Sequence, residues 1–342
     1  MKNDVKQARI GMAHQARNRW ISGLCALFFS VAMTGIAQAQ QPWPTKPIRL
    51  IVTSPAGGPS DIAARIIGER LSKVLGQPVV IENRGGANGI VGTQMLAAAA
   101  PDGYTIGMIQ AGLAINPSLY DHVPYDPIKD FEHITQAIAV PNVLVVHPSF
   151  AVKSVAELVS AAKARPEEIP FASAGMGSSG HLSLELLQIS SGARFNHVPY
   201  KGGAPAINEL LGGHVKALFS LALVSMPHVR SGKLRALAVS SGKRSSVVPD
   251  LPTIAESGYP GFDVTGWFGL IAPKNTPGSI VTKLHDEAVR VLNMPETREL
   301  LKNQGADVVG STPAEWRSFI KHETEKWAEV VKTAGIGKKP VK

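Results

Sequence analysis

Cysteine is nearly absent from this sequence. The chain of 342 residues holds one, Cys25, and it falls in an N-terminal stretch that reads as a removable leader. Without that stretch the chain can form no disulfide and offers no thiolate for nucleophilic catalysis or metal binding. An exported chain with no disulfides must rest on a core large enough to need no covalent staples. Sequence patterns that carry chemistry are also scarce. There is no H-E-x-x-H, since "HETEK" from His322 fails the spacing. "SGK" at 231 and 241 lacks the upstream glycine and following hydroxyl of a P-loop. No G-x-S-x-G elbow occurs, and "GMGSSG" misses it by one position. These absences remove the common signatures of metallohydrolases, nucleotide hydrolases and α/β-hydrolases, although a scattered Ser-His-Asp triad is not readable from sequence.

A large excess of one charge is missing too. The chain has 35 Lys+Arg against 26 Asp+Glu, and residues 1–39 account for five of the bases and one acid, Asp4. The remainder has 30 against 25, with no basic run of the kind that tracks nucleic acid. The leader itself is well marked. Lys2, Lys6, Arg9, Arg17 and Arg19 form a basic region, "WISGLCALFFSVAMTGIA" an apolar one, and Ala37 to Ala39 an A-x-A cleavage site. Residues 1–39 therefore read as a secretory signal peptide, with the mature chain starting at Gln40. The apolar run is short and ends in small residues, so it does not read as a membrane span. Cys25 follows Leu24 and has no cleavage signal beside it, which argues against a lipid-attached cysteine. No later segment is apolar and long enough to cross a bilayer. The mature protein is expected outside the cytoplasm.

What is present is a regular alternation. "IRLIVT" reads as a buried strand, "IAARIIGERLSKVLG" as a helix stopped at Gly76, "PVVIEN" as a strand, "NGIVGTQMLAAAAPDG" as a helix, and "YTIGMI" as a strand. That order predicts a parallel sheet covered by helices. After "NVLVVHPS" the alternation resumes: a helix opened by a Ser154–Glu157 capping box, a strand over 169–173, and helices over 181–191 and 203–212. Strands are predicted over 195–199, 214–219 and 234–239, with a helix near 225–231 and a short one at 253–257. Then come a strand within 264–277, a helix with Thr276 as N-cap and Pro277 at its first position, and a helix boxed by Thr312 and Glu315 that ends at Gly335. "VLVVHPS" and "GLIAPKNTP" have the same form, a strand running into a proline loop. They suggest two α/β lobes joined by two strands, with a cleft between them suited to a small ligand.

Two glycine-rich loops lead from strand to helix. In "IPFASAGMGSSGHLSLELLQ", Gly175, Gly177 and Gly180 spell the dinucleotide pattern G-x-G-x-x-G. That pattern requires an acid about 20 residues on to hold the ribose, and no Asp or Glu occurs from 193 to 204. An exported protein also rarely meets free NAD. No cofactor is expected. What survives is a helix start, whose free N–H groups and partial positive charge attract anions. "SPAGGPSD" at 54–61 repeats the device. If both loops face one cleft, they suit a ligand with a carboxylate at one or both ends. On that reading Gly177→Asp abolishes binding and spares the fold. His181 reads as a capping or packing residue, Asp61 as structural, and Trp267 as core. Tyr200 and Lys201 end a strand from which either can reach the cleft.

Taken together, several stretches resemble the Bug-type extracytoplasmic solute receptors of the tripartite tricarboxylate transporter family. They are "WPTKPIRLIVTSPAGGPSDIAAR", "VVIENRGGANGIVG", "AAPDGYTI", "FASAGMGSSGHLSLELL", "HVPYKGGAPAINELLGGHV", "GKLRALAV", "LPTIAESGYPGFDV" and "GWFGLIAPKNTP". The resemblance implies a two-lobed periplasmic-binding-protein fold of type II, with parallel-rich sheets flanked by helices and two crossover strands as hinge. It places lobe 1 at 40–146 and 272–342 and lobe 2 at 147–271. It implies capture, without catalysis, metal or cofactor, of a small carboxylate, often a dicarboxylate, aliphatic or aromatic. The partner would be a membrane permease, the receptor a monomer, and no nucleic acid would be involved. Ser54, Pro55, Ala56, Gly57 and Gly58 would grip from lobe 1, and Ala174, Gly175, Gly177 and Ser178 from lobe 2. Asn88, Gly89, Gln110 and Ala111 would line the cleft.

Two departures from the family pattern bear on the ligand. Where the family carries a run such as "VDLMFD", this chain reads "VKALFS", placing Ser220 where an acid could pair with a ligand amine. Where the family has "PFAAGG", this chain has "TSPAGG", trading an aromatic for Ser54. The first leans away from amino acids and toward plain or aromatic carboxylates; the second gives the ligand more room. The competing classes are a secreted two-lobe hydrolase, which would consume the acid, and a periplasmic sensor adaptor, which would differ only in its partner.

Overall fold

Alternation of buried strands and capped helices builds most of the chain. The computed structural model describes residues 43–337, so the leader over 1–39 and the start at Gln40 lie outside the described residues. The first part runs β1 (Ile48–Val52), α1 (Pro59–Leu75), β2 (Val79–Asn83), α2 (Ile90–Ala97), β3 (Thr105–Gln110) and α3 (Gly112–Leu119). β1 pairs in parallel with β2 on one side and β3 on the other. Four of its five residues, Ile48, Leu50, Ile51 and Val52, are wholly buried, as expected of a strand covered on both faces.

β4 (Phe131–Val146) then runs for 16 residues. It is followed by α4 (Val155–Ala164), β5 (Pro170–Ser173), α5 (Ser179–Ser191), β6 (Asn196–Pro199), α6 (Gly203–Leu211), β7 (Ala217–Leu221), α7 (Ala222–Arg230) and β8 (Arg235–Val239). β9 (Thr265–Pro273) returns antiparallel to β4, between β3 and β4. The chain closes with α8 (Gly278–Leu292), α9 (Pro295–Asn303), β10 (Asp307–Val308) and α10 (Pro313–Ala334).

The strand order is β2-β1-β3-β9-β4-β7-β5-β6, with β8 and β10 also on β4. β4 belongs to two sheets. From Phe131 to Pro141 it pairs with β9, ending on Pro141↔Thr265; from Asn142 onward it pairs with β7 and, from Val143, β8. Proline has no N–H to give a ladder, and Pro141 sits where the strand changes partners. The sequence reading saw only the second half of β4. It also missed α3, α9 and β10.

Local chemistry decided the helix ends. Ser154 Oγ accepts from the Glu157 N–H at 3.1 Å, but Glu157 takes the Lys153 N–H rather than that of Ser154. The box expected at α10 is complete, since Thr312 and Glu315 bond each other's backbone, and the helix ends on Gly335 at φ 67°. Thr312→Ala should lower stability by about 1 kcal/mol, read as a shifted midpoint at constant slope in urea unfolding. Two expectations are corrected. Pro277, not Thr276, occupies the N-cap of α8, because the Thr276 hydroxyl closes a turn on the Pro273 carbonyl at 2.7 Å. Residues 253–257 form turns, not a helix. Thr253 and Glu256 do make the reciprocal bonds of a capping box, but Gly258 at φ 106° ends the segment. Trp267 is core, as expected. Its indole N–H and that of Trp327 both donate to Glu323, at 3.0 and 2.9 Å.

Candidate functional site

The first glycine loop leaves β1 at Val52 and enters α1 with Pro59 at the first helical position and Gly58 as N-cap. No side chain caps this helix start. Ser54 is buried, and its hydroxyl meets that of Ser60 at 2.5 Å, while Pro55, Ala56 and Gly57 are exposed. Gly57 takes φ 76°, which favours glycine. Its N–H does not face outward: it donates to Asp61 Oδ2 at 2.8 Å. Asp61 also accepts from Arg65 Nε and from Asn83 Nδ2, both at 3.0 Å. Burial pushes the Asp61 carboxyl up, but those bonds outweigh it and hold it below the usual range. Asp61 is therefore an anion already satisfied inside the protein. Among the described residues, the N–H groups of Ala56 and Ser60 donate to no protein acceptor.

Residues 86–89 turn under the end of β1 with four consecutive positive φ angles: 119°, 45°, 53° and 90°. Ala87 and Asn88 are strained there, since a side chain makes this region costly. Asn88 is held from both sides. Its amide donates to Asn116 Oδ1 at 2.9 Å and to the Gly177 carbonyl at 3.2 Å. Asn116 returns a bond to the Asn88 carbonyl and donates to the Tyr125 hydroxyl. Gly89 packs on Thr53, where a Cβ would lie 3.1 Å from the carbonyl oxygen. Gln110 ends β3 half-buried, and Ala111 opens α3. The structure thus brings 54–58, 88–89 and 110–111 to one end of the first sheet.

The second loop leaves β5 at Ser173. Ala174 is half-buried, Gly175 has φ 123° and Gly177 φ 74°. Ser178 is the N-cap of α5: its Oγ accepts from the His181 N–H at 3.2 Å and donates to the Gly175 carbonyl at 2.8 Å. The amides of Gly175 and Gly177 are spent inside the protein, on Ser173 Oγ and His181 Nδ1. Among the described residues, the N–H groups of Met176, Ser179 and Gly180 have no protein acceptor. Tyr200 meets this loop through its backbone, since a Cβ on Gly175 would lie 2.9 Å from the Tyr200 oxygen. Ser220 is buried on β7.

The glycine triplet explains its own resemblance to a dinucleotide site. A Cβ on Gly180 would stand 2.3 Å from the Phe219 carbonyl oxygen, so the third glycine lets helix and strand pack closely, as in that motif. The expectation for Gly177→Asp needs correction. A Cβ there would fall 2.3 Å from Leu119 Cδ1 and 2.8 Å from Asn88 Nδ2, and the left-handed backbone adds strain. That substitution tests folding as much as binding.

Sequence reasoning named Ala56 among the gripping residues, but not Ser60, Met176, Ser179 or Gly180, whose amides are also open. The available signal was the rule that the first N–H groups of a helix go unpaired, and here the N-cap serine already uses that of His181. Asn142 was also missed. It is buried where β4 changes sheets, and its Oδ1 accepts from Ser179 Oγ at 3.1 Å.

Comparison with known proteins places this geometry. Residues 63–336 match the tripartite tricarboxylate transporter family receptor. Protein BugT of Bordetella pertussis (strain Tohama I) is 40% identical over 316 residues, covering 91% of this chain and 97% of that protein. Among solved structures, Rpa4515 of R. palustris with adipate superposes at TM-score 0.83 and 38% identity, covering 87% of this chain and all of that one. MatC (Rpa3494) from Rhodopseudomonas palustris, with bound malate, superposes at 0.77 and 33% identity, covering 84% and 100%.

Proposed function

The chain belongs to the tripartite tricarboxylate transporter family of receptors, and from that premise we propose that it captures a small dicarboxylate between two helix starts and delivers it to a tripartite permease. Receptors of this family are periplasmic solute-binding proteins and not enzymes. One observation carries the ligand reading. The starts of α1 and α5 both present unpaired amides, and the Asn88–Gly177 hydrogen bond ties the 86–89 turn, which packs on Thr53 beside the first loop, to the second loop. Each helix start offers about half a positive charge. Two such starts suit a molecule with a carboxylate at each end, and adipate and malate, held by the two neighbours, are of that kind.

In this reading the direct donors are Ala56 and Ser60 on one side, and Met176, Ser179 and Gly180 on the other. Ser54, Pro55, Gly57, Gly58, Asn88, Gly89, Gln110, Ala111, Ala174, Gly175, Gly177, Ser178 and Tyr200 shape the surrounding walls. Two lobes, expected at 40–146 with 272–342 and at 147–271, close as a monomer about β4 and β9, with the crossings nearer Pro141–Asn142 and Thr265, where the strand pairing changes. Closure excludes water and so strengthens the anion contacts. Ser220 offers no charge for a ligand amine, which favours plain acids over amino acids.

A thermal-shift panel of aliphatic and aromatic mono- and dicarboxylates tests the reading. A true ligand at a hundredfold excess over Kd should stabilise by about 2.7 kcal/mol and be recovered unchanged. A panel with no stabilising dicarboxylate, or an acid consumed at turnover rates, would sink it.

A further inference from the structure

Two imidazoles lie face to face beside the second glycine loop. His181, on the first turn of α5, stacks on His197 of β6 with centroids 4.3 Å apart and planes 23° from parallel. His181 is wholly buried. Glu185, one turn along, brings Oε1 to 3.4 Å from His181 Nε2. Its other oxygen accepts from Gln188 at 3.0 Å. Candidate ligand atoms of the three residues lie within 4.8 Å of one another, close enough to suggest a metal ion. The stacking argues against that. Nitrogen lone pairs lie in the ring planes, so near-parallel rings aim them side by side, whereas a bound metal needs them to converge.

The hydrogen bonds lead to the loop instead. The Gly177 N–H donates to His181 Nδ1 at 3.1 Å. A neutral ring that accepts at Nδ1 carries its proton on Nε2, here on the side of Glu185. His197 Nε2 meets Ser173 Oγ at 2.7 Å, and that hydroxyl oxygen accepts the Gly175 N–H at 3.2 Å. The stacked pair therefore anchors both glycine amides that the loop turns inward.

We propose that His181 and His197 are positioning residues for anion capture. By fixing the peptides of Gly175 and Gly177, they leave the amides of Met176, Ser179 and Gly180 pointing at the ligand. The proposal rests on the carboxylate-receptor reading above. It assigns the imidazoles no contact with the ligand.

The test exploits which nitrogen does the work. His181→Asn keeps an acceptor where Nδ1 stands. His181→Gln moves its polar end toward Nε2 and loses that acceptor. Affinity for malate and adipate is measured by calorimetry, and backbone amide exchange at Gly177 by NMR. Gln should weaken binding at least tenfold and speed Gly177 exchange at least tenfold, and Asn should recover at least fivefold of each. Equal losses in the two variants, or none in either, would overturn the proposal. If the wild-type protein binds neither acid, the ligand reading fails for those acids, and Gly177 exchange still decides the positioning role. Should the imidazole variants fail to fold, Ser173→Ala removes only a hydroxyl. It should speed Gly175 exchange tenfold, and unchanged exchange would count against the proposal.

Discussion

Ser178→Asp should weaken carboxylate binding by about two orders of magnitude and leave the fold intact. Aspartate caps a helix as well as serine does, so the bond from the His181 N–H is kept in kind, and only the bond that Ser178 Oγ donates to the Gly175 carbonyl is lost. The new charge stands at the helix start that is proposed to hold the ligand. At about 5 Å and an effective dielectric near 20, two like charges repel by about 3 kcal/mol, or about a hundredfold in Kd. The measurement is calorimetric titration beside a melting curve of the free protein. An unchanged Kd would remove the start of α5 from the site. Ser178→Asn is the paired control: it caps without the charge and should bind much more tightly than the aspartate. The pair separates electrostatics from packing, which Gly177→Asp cannot do.

The contrast between these two substitutions shows what was legible in the sequence. Both glycine loops and their place between strand and helix follow from residue types and spacing alone. The alternation that builds the sheets was equally plain, because strands such as β1 are apolar and short. What could not be read was direction. Whether Gly57 offers its N–H outward depends on Asp61 curling back from the first turn of α1 to take it. Whether Gly177 does so depends on His181, four residues on. A carboxylate or imidazole near a helix start gives no sign in sequence of which way it turns. The long strand β4 hid for a different reason. "FEHITQAIAVP" carries Glu, His, Thr and Gln among its apolar residues, and looks half-exposed. It is almost wholly buried because β9 lies alongside and α8 and α10 cover it, and those partners come more than a hundred residues later.

His133 on that strand sets the second large expectation: the protein should lose about 3 kcal/mol of stability between pH 6.5 and pH 4 through this residue. The side chain is buried, and neither ring nitrogen finds a full hydrogen bond. Burial pushes its pKa down from the usual 6.5 to about 4, the nearby Arg317 charge pushes it the same way, and the Pro127 backbone offsets part of this. Below about pH 6.5 the unfolded chain takes a proton on this residue and the folded protein does not, so protons favour unfolding. The loss grows as pH falls and levels off near 4, once both states are protonated. A pKa moved from 6.5 to about 4, at about 1.4 kcal/mol for each tenfold change in proton concentration, gives the magnitude. Asp61, whose pKa is lowered, acts elsewhere on the scale. Its contribution is full above its ordinary carboxylate value and drains away as pH falls toward its lowered one, so the two windows separate. His133→Leu removes the proton site and keeps the position apolar. Urea unfolding of both proteins at half-unit steps gives two curves, and their difference should widen steadily from pH 6.5 to 4. A constant difference across that window would mean that His133 titrates in the folded protein as it does in the unfolded chain, and that its burial is not what the acid limb measures.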